Sequence, residues 1–272
     1  MTAVALLAQL AATSEAAADP SRPLLPVGKW TVEYADAMCV LSHDYGAAAA
    51  PVTVALRPLP LSDEAEFVVV QPGAAARGAR SGDATVVLQP ANRPHKSVYA
   101  LRSTSDGTRH LTVISVADVK PDLPAAASIT ITIGKQPPIT VAPPALGQAM
   151  SALNTCQRDL LARWGVDPDY ERRIATKAKP RQGQDVARWF STDDYPYGAL
   201  DNRAEGITTL MWQIGTDGKV RDCRLLGSSG TPVLDRMACA VIVRRGDYTP
   251  ARDAQGQPVV SYGMRRVNWR ME

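Results

Sequence analysis

Between Gly28 and about Thr140 the chain is a succession of short β-branched runs broken by proline, glycine and aspartate: KWTVEYA, MCVLSHDY, PVTVALRP, AEFVVVQ, ATVVLQP, SVYALRS, RHLTVISV and SITITI. Runs this short, with turn residues between them, are strands rather than helices, and their close spacing predicts an antiparallel β domain, a sandwich or a partial barrel. In SITITI the isoleucines alternate with Ser and Thr, as a half-buried strand requires. The period then changes. ALGQAMSALNTCQRDLLARWG places Leu146, Met150, Leu153, Leu160 and Leu161 at helical spacings, and Gly165 supplies a stop. This helix is expected to pack on the β domain, with Cys156 clipped to the second strand at Cys39.

A hydrophobic content of 45 % at 21 % charge is that of a folded globular chain. The net charge of +3 is too mild for a nucleic-acid-binding face, and only two phenylalanines occur, which argues against an aromatic stacking platform. The first residues, with an apolar run from Ala3 to Ala12 and Ala16-Ala17-Ala18 before Asp19, read as an export signal over residues 1–18. No Lys or Arg precedes Arg22, so the alternatives are an Ala-rich tail or a start further upstream. The apolar run is about half the ~20 residues a membrane-spanning helix needs, so the expected mature protein is exported and has no membrane span.

Four cysteines, Cys39, Cys156, Cys223 and Cys239, include no C-x-x-C and no histidine at ligand spacing, so no metal is expected. Export favours disulfides. Pairing Cys39 with Cys156 and Cys223 with Cys239 keeps one bridge inside each of two domains; for the second pair, two buried free thiols are the alternative. The domains are a β-rich unit ending in a helix (28–166), a polar, basic linker with Pro180 and Gly183 (167–190), and a C-terminal unit (191–272).

That C-terminal unit is the most legible part. DYPYGALDNR predicts a short leading helix, and EGITTLMWQI a strand with Thr208, Leu210, Trp212 and Ile214 on one face. Asp217-Gly218 marks a hairpin. VRDCRLLGSS returns as a second strand in which the alternation slips between Val220 and Cys223, predicting a bulge. Thr231 as N-cap, Pro232 at the first helical position and Asp235 in the first turn open a helix with Leu234, Met237, Ala238, Val241 and Ile242 as its apolar stripe. Residues 257–271 read as one long closing strand. Strand, strand, helix and strand make a small α+β domain with the helix on one face of an antiparallel sheet.

Catalytic and cofactor motifs are weak. GSSG at 227–230 is not a nucleophile elbow, so Ser228 and Ser229 are read as turn and capping residues. His43, His95 and His110 all fall in the β domain as core or solvated residues; a hydrolase built around His43 or His110 is the enzymatic alternative. Asp193-Asp194 suit helix capping. No calcium loop or phosphate cradle is present, no cofactor is expected, and the reading is non-enzymatic.

Tyr195-Pro196, Ala199-Leu200, Glu205-Gly206, the Asp217 to Val220 hairpin, Ser228 to Gly230, Leu234-Asp235, Tyr248 to Ala251 and Gly256 to Val259 occur in an order that resembles the C-terminal domain of the TonB family of energy transducers. The resemblance implies an α+β fold for about residues 191–272. It also implies a periplasmic protein that pairs with a short extended segment of an outer-membrane transporter, driven in that family by a membrane-anchored helix. Strand addition suits this: an edge strand offers free N–H and C=O groups, and side-chain pockets add selectivity. The candidate partner-binding edge here is Val259, Val260, Tyr262, Arg265, Arg266, Val267 and Trp269, with Arg265, Arg266 and Arg270 either deterring non-specific pairing or attracting an acidic segment. A β domain stands where the family's long spacer would be, which puts energy coupling by this chain alone in question and leaves partner binding. Other envelope proteins, or a second copy through the same edge, are further partners implied. A periplasmic scaffold or cell-wall-associated module is the alternative function.

Overall fold

The computed structural model describes residues 22–73, 81–104, 106–181 and 186–271. The export-signal reading of residues 1–18 lies outside them. The first unit contains β1 (Pro26–Tyr34), β2 (Cys39–Tyr45), β3 (Val52–Pro58), β4 (Ala65–Pro72), β5 (Ser81–Gln89), β6 (Arg93–Ser103), β7 (Arg109–Val116), β8 (Ser128–Ile133) and β9 (Ile139–Val141). They form one nine-stranded sheet in the order β1-β2-β3-β4-β7-β6-β5-β8-β9, paired antiparallel throughout. The sheet curls until its ends meet: the Leu24 N–H donates to the Thr140 carbonyl at 2.7 Å, and Leu24 bridges Val141. Of the two architectures expected, the nearly closed barrel is the one formed.

Alternation explains the closure. Along β2 the residues Cys39, Leu41, His43 and Tyr45 are buried and those between them are half-buried, while β8 buries Ile129, Ile131 and Ile133. These inward sets join one aliphatic core. Helix α1 (Leu146–Arg163) adds Leu146, Ala149, Met150, Leu153, Cys156 and Leu160 to it, and Cys156 is bonded to Cys39 with a Cα separation of 6.1 Å.

The connecting residues lie along the C-terminal unit. β10 (Lys179–Pro180) pairs with β13 (Tyr248–Thr249), and the backbones of Ala175, Thr176 and Arg252 exchange hydrogen bonds. The C-terminal unit then runs through α2 (Tyr197–Asp201), β11 (Gly206–Ile214), β12 (Val220–Gly227), α3 (Pro232–Arg245), β14 (Ala251–Arg252), β15 (Pro258–Val259) and β16 (Ser261–Trp269). Its sheet has the order β12-β11-β16. Gly218 adopts a φ of 82° in the hairpin and receives the Tyr248 N–H on its carbonyl at 2.9 Å, a turn and close approach that suit glycine. The expected bulge is present: Met211 faces Arg224 but Gln213 faces Arg221, and Asp222 takes a φ of 48°. Helix α3 buries Leu234, Ala238, Val241 and Ile242 against the sheet, and the Cys223–Cys239 bridge spans 5.7 Å between Cα atoms.

Two expectations need correction. Residues 257–271 are not one strand: Val259 is captured by Ala251 in a separate two-residue ladder, so the chain breaks at Val260 before β16 begins. Thr231 sits at the N-cap with extended backbone, but its hydroxyl makes no capping bond; nearby donors go instead to Asp235. The two units share an interface. Leu59, Leu61, Leu161, Val166 and Tyr170 pack with Met211 and Met264 in a cluster of their own. That contact covers the outer side of β4, whose Glu66 and Val68 are buried along with its inward residues. Among the described residues no helix is long and apolar enough to cross a membrane.

Candidate partner-binding site

β16 pairs with β11 along its whole length, from Gly206 opposite Trp269 to Ile214 opposite Ser261, and with no other strand among the described residues. Its second edge therefore carries backbone groups outside any ladder. Directly opposed residues of an antiparallel pair share a face. Ser261, Gly263, Arg265, Val267 and Trp269 thus lie with Leu210, Trp212 and Ile214 on the α3 side, and Tyr262, Met264, Arg266 and Asn268 lie with Met211 on the side facing the β domain.

The sequence-predicted edge residues divide accordingly. Val267 and Trp269 are core, and the Trp269 indole N–H donates to Thr208 Oγ1 at 3.0 Å. Val260 is exposed, and Val259 belongs to β15. Arg266 is neither a guard nor a lure on the surface: its side chain is 13 % exposed and meets Glu66 of β4, which also pairs with Arg57 at 2.7 Å. Burial pulls the Arg57 guanidinium below its ordinary pKa, Glu66 counteracts that, and Arg266 adds to it. One carboxylate thus ties two guanidinium groups across the interface. Of the predicted set, Tyr262 and Arg265 remain at the free edge.

Both line a cavity of about 390 Å³ that straddles the first half of β16. Leu61 to Glu64 from the β3–β4 loop form one wall, and Tyr170, Ile174 and Lys177 form another. Tyr170 and Tyr262 meet edge to face with ring centroids 5.2 Å apart. The loop is held by Lys120, whose Nζ donates to the carbonyls of Leu59 and Ser62 at 3.0 and 2.7 Å; burial lowers its pKa, and Glu171 and Asp63 work the other way. On the α3 side the floor is Trp212 and Tyr248, and a side chain at Gly263 would run into the Trp212 indole. A glycine in mid-strand is the sequence signal for such a close approach. The cavity walls have no comparable signal, because they come from three separated stretches.

Behind the edge, buried carboxylates fix the scaffold. Asp235 Oδ1 accepts from Thr208 Oγ1 and the Ser229 N–H, both at 2.8 Å, and Oδ2 accepts from Ser228 Oγ at 2.6 Å. Burial acts to raise the Asp235 pKa, but these donors outweigh it and hold the carboxyl below the usual range. The GSSG turn therefore tethers helix α3. Asp194 similarly accepts from Ser191 in a capping box and from Arg245 at 2.6 and 2.8 Å at the end of α3; against the effect of burial, these bonds lower its pKa. The histidines are dispersed. His43 packs between Trp30 and Tyr45, His95 lies 3.5 Å from Asp122, and His110 contacts the Gly73 carbonyl at 3.0 Å. His43 and His110 stand on strands that are not neighbours in the sheet.

A family model described as the Gram-negative bacterial TonB protein C-terminal matches residues 191–271, the α2 to β16 unit. No curated protein matches the chain.

Proposed function

We propose that this chain is a non-enzymatic protein of the periplasm that binds an extended segment of an outer-membrane transporter by strand addition along β16, in transport across the outer membrane. The observation that carries the reading is the edge of β16, paired on one side only and bordered by a groove, within the stretch that matches the TonB C-terminal family. Backbone hydrogen bonds contribute roughly 1 kcal/mol each when they replace bonds to water, so a few of them give a weak, reversible contact, and side-chain pockets supply the remainder.

Titration of the labelled full chain with N-terminal peptides of outer-membrane transporters, followed by NMR, tests this. Shifts running along Ser261–Trp269 are expected. An absence of shifts at millimolar peptide would remove transporter binding and leave the fold serving as an envelope scaffold.

A further inference from the structure

We infer that the cavity beside β16 is a selectivity pocket for the added strand, taking one large aromatic side chain with a polar edge, tyrosine or tryptophan, and walled in part by the β3–β4 loop and the connecting residues. The inference rests on the strand-addition reading and adds to it what the partner must present. Four features carry it.

The first is position. The cavity is lined by Ser261, Gly263 and Arg265 on one face of β16 and by Tyr262 and Met264 on the other, so it wraps the unpaired edge itself. A strand laid along that edge sends successive side chains to alternate faces, and one of them must enter. The second is size and lining. A volume of about 390 Å³ is at the lower end of ligand sites, and the walls include Tyr170, Ile174, Trp212, Tyr248, Tyr262 and Met264, a surface that favours an aromatic ring.

The third is charge. At the rim, Lys177 is engaged by Asp63 at 2.6 Å, and the Tyr170 hydroxyl donates to Glu171 at 3.2 Å. Burial, reinforced by Glu171, pushes the Tyr170 hydroxyl far above its ordinary pKa, so this wall stays neutral. A charged side chain would lose its hydration and find these counter-charges already committed. The fourth is an unmet polar group. Ser261 is 4 % exposed and its Oγ has no hydrogen-bond partner among the described residues, although it lines the cavity. The Oγ is itself buried, and a turn of the Ser261 side chain toward the cavity would let a phenol O–H or indole N–H entering beside it complete that bond, whereas a purely hydrocarbon ring would not.

The experiment uses the full chain and short peptides of alternating threonine and valine with one central guest residue. Tyrosine and tryptophan guests are expected to bind about tenfold more tightly than an alanine guest, with glutamate and lysine guests weaker than alanine. Tyr170→Ala, in the connecting residues that wall the groove, is expected to abolish the aromatic preference, so that tyrosine and tryptophan guests bind no more tightly than an alanine guest. Ser261→Ala removes a hydroxyl without a hydrogen-bond partner among the described residues, so the fold is expected to be retained, and the advantage of a tyrosine over a phenylalanine guest is expected to disappear. Binding with equal affinity for every guest, or an aromatic preference that survives Tyr170→Ala, would overturn the pocket and leave strand addition standing. Failure of every peptide to shift β16 resonances would overturn both.

Discussion

In the nine-stranded sheet Leu24, just ahead of the first strand, meets the last strand at Thr140 and Val141, whereas in the three-stranded sheet β16 has one side without a partner strand among the described residues. A long sheet can curl until its termini meet, and closure removes the edges that would otherwise recruit foreign strands. Three strands cannot curl that far. The small sheet covers one face with α3 and the other with the β domain, and β16 pairs with no second strand among the described residues. The two regions also hold themselves together differently. The barrel has an aliphatic interior and a disulfide between residues 117 apart in sequence; the C-terminal unit uses a disulfide over 16 residues and buried carboxylates hydrogen-bonded to α3 and its flanks. The comparison teaches that the closed region is built for stability and the open one for contact, and three measurements probe that division.

The largest effect is expected from the long staple. In the chain-entropy model, removing a bridge over a loop of this length costs about 5 kcal/mol, against about 3 kcal/mol for a loop the size of the C-terminal one. Denaturant unfolding of Cys39→Ala/Cys156→Ala beside Cys223→Ala/Cys239→Ala measures both; equal losses would show that the barrel does not depend on its clip more than the smaller unit does. Next is the interface. Glu66→Ala leaves the guanidinium groups of Arg57 and Arg266 buried without their shared carboxylate, a loss of about 3 to 4 kcal/mol. It is also expected to raise protease sensitivity in the connecting residues, and a variant as stable and as resistant as the parent would mean that the two units do not hold each other.

The smallest effect is that of acid. Asp194 and Asp235 are held below the ordinary carboxylate range, so the folded state binds fewer protons than the unfolded one near pH 4. Their contribution is fully present above that pH and is lost as the pH falls through the depressed folded values. Amide resonances of α3 and of Gly227 to Thr231 are expected to broaden before those of the barrel strands in an acid titration; simultaneous loss would place the acid-sensitive groups elsewhere.

Much of the C-terminal unit was legible in the sequence because its signals are local. The Asp217-Gly218 turn, the slip between Val220 and Cys223, and Pro232 at the start of α3 each act within a few residues, and each is found where the pattern puts it. The closing strand was harder to read. Hydrophobic alternation runs through Val259 and Val260 without interruption, yet pairing with Ala251 diverts Val259 into another ladder, a competition that periodicity does not register. The candidate edge residues fall on β15 and β16 and between them, and their side chains divide in a way that alternation does not reveal: Val267 and Trp269 belong to the core, and Arg266 to a buried ion pair.

By itself the sequence determined the order of the long strands and of the two long helices, and where the hairpin of the C-terminal unit turns. It also favoured the economical cysteine pairing that the structure forms, while leaving free thiols open for Cys223 and Cys239. Only the tertiary structure decided that the sheet curls into a nearly closed barrel and that Arg266 finds Glu66. It alone decided, too, that Leu61, Tyr170 and Gly263 come together around the rim of β16. Those outcomes depend on packing between segments far apart in the chain, where the identity of each neighbour is set by the shape of the whole and not by any local pattern.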